Sequence, residues 1–287
     1  MNDLNQMIAN CKQNAELKAG LYIVATPIGN IHDITIRALS ILANVDIIFC
    51  EDTRVSGKLL AHYGLNKKTF CYNDYSDEKD RENIINLILA GNKIALISDA
   101  GTPLISDPGY KLIRELINKK IYVTSSPGPT ALITALTLSS MATDQFYFLG
   151  FLPNKENARQ KALTSLKTIA TTLIFYETAL RLTACLSDIK LILGDKPACI
   201  ARELTKSHEE SVTGTVSEII KYYETHTLKG ECVIILDNRE AKKFSEDEID
   251  ELIAKYSKEL SAKDTAQIIA DITGVSKKII YQKIIGR

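Results

Sequence analysis

"ALISDAGTPLISDPG" (residues 95–109) is the stretch on which the reading of this chain turns. It begins as a run suited to a buried strand. Asp99, Gly101, Thr102, Pro103, Ser106, Asp107, Pro108 and Gly109 then crowd a single turn with polar and backbone-special residues, far more than a bare connection needs. Gly and Pro at such positions let the backbone come close to a ligand, and a buried Asp can hold a ribose or an amine by charge-assisted hydrogen bonds. Taken singly, this loop is also an ordinary turn in which Ser106-Asp107-Pro108 signals a helix start.

Working outward, short β-branched or apolar runs recur at 21–25, 46–51, 93–98, 121–125, 145–150, 171–177, 198–203 and 231–237, each with strand character. Helical patterns lie between them. In "SDEKDRENIINLILAGN", Ser76 can cap the start, Ile84, Leu87 and Ile88 recur at helical spacing, and Gly91 can stop the helix. Such alternation predicts an α/β fold with largely parallel sheets. Turn residues and charge at 143–155 suggest a boundary, and from about Arg239 three helical patterns follow without a strand.

The organisation expected is a 1–20 N-terminal extension, a 21–143 N-terminal α/β domain, a 144–238 C-terminal α/β domain and a 239–287 helical tail. With 35 basic and 35 acidic residues the net charge is +0, so no whole-chain field draws the protein to nucleic acid or an anionic membrane, and any RNA contact must come from a local patch. The six cysteines form no Cys-x-x-Cys pair and the four histidines no metal-ligand spacing. Reduced, mostly buried thiols in a cytoplasmic protein without a metal are expected. No stretch reaches the apolar run of about 18 residues that a membrane span needs.

Ligands of open α/β sheets sit beyond the carboxyl ends of the strands. Five successive strand ends carry polar or Gly-Pro-rich loops, among them "ATPIGN" (25–30), "EDTR" (51–54), the 95–109 stretch and "SSPGPTA" (125–131); "YETALR" (176–181) and "RELTKSHEE" (202–210) come from the second half. That repetition argues for a ligand site. The first loop lacks both G-x-G-x-x-G and G-x-x-x-x-G-K-[ST], so a phosphate cradle is not supported.

"LYIVATPIGNIHDITIRAL", "EDTR", "SDAGTPLISDPGY", "PGPTA", "FLP", "ARELTKSHEE" and "GE-x-V", in this order, resemble the ribosomal small-subunit (16S) RNA cytidine 2′-O-methyltransferase family, a branch of the tetrapyrrole (corrin/porphyrin) methylase superfamily. The resemblance runs from Leu21 to Asp237, and the tail is also similar. It implies two α/β domains with S-adenosylmethionine in the cleft between them, a homodimer, and methylation of cytidine 1402 at the decoding site of 16S rRNA in the small ribosomal subunit. It also implies donor contacts at Pro27, Ile28, Asp99, Thr102, Thr130 and Ala131, with Tyr176, Glu177 and Leu204 lining the cleft from the second domain. Where the family commonly has Pro-His, this chain has Ala179-Leu180, and "SSMATDQF" (139–146) also departs from the usual run. Both lie on the side expected to meet the substrate.

Methyl transfer from a sulfonium to a ribose hydroxyl is an in-line displacement, so positioning and removal of the hydroxyl proton are its main demands. Candidates for the second are Asp52 and Arg54 of "EDTR", Glu177 and Arg181 of "YETALR", and Glu203 and Lys206 of "RELTK"; an inter-domain salt bridge is the structural alternative for each. Arg181 is also a candidate RNA contact.

In the tail, Ser261 or Asp264 starts a helix carrying Ala266, Ile269 and Ala270, "TGVS" turns, and "KKIIYQKIIGR" follows, the outline of a helix-turn-helix. Those last eleven residues hold four basic and no acidic side chains, so Lys277, Lys278 and Lys283 are candidate contacts to rRNA backbone. Two rival functions follow from the same residues, a tetrapyrrole or corrin precursor methyltransferase and a helix-turn-helix nucleic-acid-binding regulator.

Overall fold

A computed structural model describes residues 16–226, 230–239, 245–258, 260–273 and 275–286. Most of the expected N-terminal extension, residues 1–15 with Cys11, lies outside the described residues. The chain divides into a first compact unit that ends at Asn238 and a second that begins at Arg239.

The described residues of the first unit form two sheets. Strands β1 (Gly20–Val24), β2 (Ile47–Cys50), β3 (Lys68–Cys71), β4 (Lys93–Ile97) and β5 (Val123–Ser126) form one, in the order β3-β2-β4-β1-β5 with every neighbour parallel. β1 and β2 are buried along their whole length, as central strands covered on both faces must be. Their covers are α1 (Ile36–Asn44), α2 (Thr53–His62), α3 (Glu78–Leu89) and α4 (Tyr110–Asn118). Asp77, one residue beyond the expected Ser76, caps α3 through a capping box with Asp80, while the Ser76 hydroxyl accepts from the Asn73 amide. α4 likewise starts after the Ser106-Asp107-Pro108 signal, with Gly109 at its N-cap and no side-chain cap bond.

The second sheet contains β6 (Phe146–Phe151), β7 (Thr172–Thr178), β8 (Pro197–Arg202), β9 (Glu210–Thr215) and β10 (Glu231–Asp237), ordered β6-β7-β10-β8-β9. Only β6 and β7 run parallel; β10 is antiparallel to β7 and β8, and β8 to β9. The expectation of largely parallel sheets therefore fails here. The turn at 203–209 is too short for a crossover helix, so it returns the chain antiparallel. Helices α6 (Glu156–Thr164), α7 (Ala179–Leu193) and α8 (Val216–Thr225) cover one face around Leu163, Phe175, Leu186 and Ile219.

The opposite face receives a helix from the other half of the chain. α5 (Ala131–Leu138) follows β5 of the first sheet, yet its Leu132, Ala135 and Leu136 pack against Ile174, Cys199, Val233 and Ile235 of the second. The loop at 127–130 thus passes from one sheet to the other and ties them together.

Of the cysteines described, Cys50, Cys185, Cys199 and Cys232 are buried, Cys71 is exposed, and all are free thiols. Among the described residues no helix is long and apolar enough to cross a membrane. The described residues of the second unit form three helices, α9 (Glu246–Tyr256), α10 (Ala262–Thr273) and α11 (Lys277–Ile285), packed through Ile249, Ile253, Ala266, Ile269 and Ile280. Ser261 starts α10, its hydroxyl accepting from the Asp264 amide.

Candidate active site

The loops after β1 and β4 leave adjacent strands and meet at once. Thr26 and Gly101 exchange both backbone hydrogen bonds, at 2.8 and 3.0 Å, and the Thr26 hydroxyl donates to Ser98 O at 3.1 Å. Beyond this clasp the 95–109 stretch does not relax. Gly101, Leu104, Ser106 and Gly109 all have positive φ, and Leu104 and Ser106 bear the strain of the left-handed region as side-chain-bearing residues. Thr102 fastens the loop to the 127–130 crossing by donating to Pro129 O at 2.9 Å.

What this shapes is a cleft of about 550 Å³ between the ends of the two sheets. From the first half, Ile28, Glu51, Asp99, Thr102 and Asp107 face it; the crossing loop and α5 add Thr130 and Ala131. The second half contributes Phe151 and Tyr176, the 202–206 turn with Arg202, Glu203, Leu204 and Lys206, and the start of β10 at Gly230 and Glu231. The 202–206 turn is strained too, with φ of +48° at Glu203 and +65° at Thr205. It is seated on the first loop, where the Thr205 hydroxyl accepts from the Asn30 amide at 2.8 Å.

One wall concentrates negative charge. Burial raises the Asp99 carboxyl above its ordinary range, partly countered by the Asp52 amide that donates to it at 3.0 Å. Burial first, and the Asp99 charge second, raise Glu51. Asp107 is pushed up to about 6 by burial, with the Glu51 charge adding to it. Three carboxylates on the lining, each raised first by burial, favour a cationic guest, while the cations of the lining, Arg202 and Lys206, are paired with Glu210 and Glu203. In the same cleft, Ile28, Ala131, Leu204 and Tyr176 offer apolar surface. Burial also raises the Tyr176 phenol.

Of the residues singled out in the sequence, Ile28, Asp99, Thr102, Thr130, Ala131, Tyr176, Glu203, Leu204 and Lys206 converge on the cleft; Pro27 does not line it. Asp52 and Arg54 stand aside. Asp52 caps α2, and hydrogen bonds from Arg54, as short as 2.6 Å, hold its carboxyl down at about 2; neither residue lines the cleft. Glu177 departs further, being fully buried behind the cleft wall, because neighbours on a strand face opposite ways and Tyr176 takes the cleft side. It cannot touch a substrate. Arg181 is likewise committed internally, to Glu177, Leu152 O and Asn154. In the second unit Lys283 is paired with Asp250 at 3.0 Å, Lys277 donates to Gln267 at 2.8 Å, and Lys278 is exposed.

Sequence reasoning missed Glu51, Asp107, Phe151, Arg202 and Glu231 as cleft residues. All five lie inside the motifs read in the sequence (EDTR, SDAGTPLISDPGY, FLP, ARELTKSHEE and GE-x-V), so the motifs located them without telling which neighbour faces inward.

This arrangement matches known proteins at three levels. The family model for tetrapyrrole (corrin/porphyrin) methylases matches residues 20–220, and that for the RsmI C-terminal HTH domain matches 244–285. Among solved structures, uroporphyrin-III C-methyl transferase from Thermus thermophilus, complexed with S-adenyl homocysteine, is similar with a TM-score of 0.55 at 17% identity, over 76% of this chain and 96% of that one. The fold with its inter-sheet cleft is that of a methyltransferase of the tetrapyrrole methylase class. The ribosomal RNA small subunit methyltransferase I of Rickettsia prowazekii is 49% identical, covering 93% of this chain and 97% of that protein; its namesake from Mesorhizobium japonicum is 43% identical over 94% and 92%. The chain belongs to the ribosomal RNA small subunit methyltransferase I family.

Proposed function

We propose that this enzyme transfers a methyl group from S-adenosylmethionine to the 2′-hydroxyl of a cytidine ribose, cytidine 1402 at the decoding site, in 16S rRNA of the small ribosomal subunit. The observation that carries the reading is the cleft's division of labour. Glu51, Asp99 and Asp107 form an anionic wall, and Ile28, Ala131, Leu204 and Tyr176 an apolar one. Such a donor carries a sulfonium and, beside its carboxylate, an ammonium at the methionine end and an adenine at the other, so its two cationic groups suit the first wall and its flat ring the second. When bound it supplies an activated methyl group.

The chain's own residues have the remaining tasks. Asp99, fixed by the Asp52 amide, orients cationic groups; Thr102 and the 127–130 crossing hold the loops at one spacing; Lys206, 44% exposed, offers a cation where an RNA phosphate can reach it. Lys206 rests 2.9 Å from Glu203, which also lines the cleft and is the proton acceptor in this reading. The lobes at 21–143 and 144–238 act as one vessel for donor and acceptor. Lys277 and Lys278 at the start of α11 contact rRNA backbone, and the protein works as a cytoplasmic homodimer.

The test is transfer of labelled methyl from S-adenosylmethionine to small ribosomal subunits that lack ribose methylation at the decoding site, with nuclease mapping. Labelling of one cytidine ribose, lost in Asp99→Ala, is expected. Tight donor binding without labelling of subunits or rRNA would point to a small acceptor such as a tetrapyrrole precursor. Absence of donor binding would leave only the nucleic-acid-binding regulator.

A further inference from the structure

Phe151 lines the cleft, yet the sheet alone does not aim it. β6 is an edge strand, and its register against β7 shifts between Phe148 and Phe151, with Gly150 at φ +65° inside the shift. Such an irregularity re-aims the side chain that follows it. Phe151 comes to lie edge-on to Tyr176, with ring centroids 5.6 Å apart. Beyond it, residues 152–154 belong to no strand or helix. Something else must hold this segment.

Two guanidinium groups do so. Arg181 of α7 donates to Leu152 O at 2.7 Å and to the Asn154 side chain, and Arg159 of α6 donates to Asn154 O at 3.2 Å. Arg159 is itself locked to the buried Asp188 at 2.6 Å. Arg181 is steered by Glu177, whose Oε2 lies 3.1 Å from its Nη2, while Glu177 Oε1 accepts from the Thr178 amide at 2.8 Å. Glu177 is fully buried, and burial together with its charge pushes the nearby Cys185 and Cys232 thiols up to about 12. A buried ion pair adds little net stability over a well-packed apolar pair, so stability alone is a weak reason for placing one behind a cleft wall. The forked geometry is a better one, because only a guanidinium reaches two acceptors on a loop while facing a carboxylate.

We propose that Arg181 is a positioning residue for methyl transfer: steered by Glu177, it pins residues 152–154 so that Phe151 stands against Tyr176 and completes the donor-binding wall. The proposal rests on the methyltransferase reading above. Two variants separate positioning from bulk stability. Arg181→Lys keeps a cation beside Glu177 but cannot span both Leu152 O and Asn154; Glu177→Gln/Arg181→Gln removes both charges and leaves none orphaned. Melting temperature and the Kd and KM for S-adenosylmethionine are measured on each. At least one variant is expected to melt near the wild type while its donor Kd and KM rise at least fivefold. Wild-type donor affinity in a folded variant, or affinity losses that simply track the melting temperatures of both, would overturn the proposal. A wild-type protein that binds no S-adenosylmethionine would instead overturn the methyltransferase reading itself.

Discussion

The Tyr176 hydroxyl of β7 accepts a hydrogen bond from the Leu132 amide at 3.2 Å, capping the start of a helix whose chain arrives from the other sheet. The first amides of a helix have no partner within it, so this phenol meets a demand that Thr130, which makes no side-chain cap bond, leaves open. One side chain therefore lines the cleft, ends a helix and joins the two halves.

Tyr176→Phe keeps the ring against Phe148 and Phe151 but leaves the Leu132 amide unpartnered. A loss of about 1 kcal/mol is expected, measurable as a lower urea midpoint at unchanged slope.

Asp107 makes stability depend on pH. A carboxyl whose pKa is raised on folding favours the folded state in its protonated form; its contribution is complete below the ordinary value of 3.8 and is lost as pH rises through about 6. The ligand-free protein should therefore lose melting temperature through this group between pH 4 and 7, and Asp107→Asn should flatten the trend. Donor affinity runs the other way, strengthening as pH rises through about 6 and the cationic guest meets an ionised wall. Calorimetric titration at pH 5 and 7.5 measures it.

Gly29 marks where the first loop meets the 202–206 turn. A Cβ there would lie 2.6 Å from Lys206 Cγ, 2.7 Å from Leu204 O and 2.8 Å from Thr205 Oγ1, and a backbone oxygen cannot swing away. Gly29→Ala should destabilise by about 2 kcal/mol and weaken donor binding, because Leu204 and Lys206 both line the cleft. Thr205→Ala, which only removes the acceptor for the Asn30 amide, should cost about 1 kcal/mol.

Lysines of the tail should separate into two kinds. Lys278→Ala should weaken rRNA binding evenly across sequences and lower the slope of log Kd against log salt by about 1. Lys283→Ala removes a partner of Asp250 and should show instead as a small drop in melting temperature with the salt slope unchanged. Filter binding at several salt concentrations, paired with thermal melts, distinguishes them.

Much of the fold can be read from local pattern because central strands such as β1 and β4 are continuous apolar runs between turn signals. The strands that escape are β3 and β9. Both are edge strands with exposed positions, "KTFC" and "ESVTGT", where water covers one side and no apolar run is required. The antiparallel half of the second sheet escapes for a related reason, since strand direction is set by how the connections return, not by side-chain alternation.

The linear order of residues determined which loops gather at the cleft, since Gly, Pro and Asp at strand ends state their backbone needs locally, and it carried the motifs that place the chain in its family. Only the tertiary structure decided which member of each motif faces inward. Tyr176 and Glu177 are adjacent, yet one lines the cleft and the other is buried behind it, because a strand turns successive side chains to opposite faces and packing alone chooses the face. Asp107, a turn residue by sequence, became part of an acidic wall because the 95–109 loop folds back toward Glu51 and Asp99. Such proximity between residues distant along the chain is a property of the assembled sheets, and no local pattern encodes it.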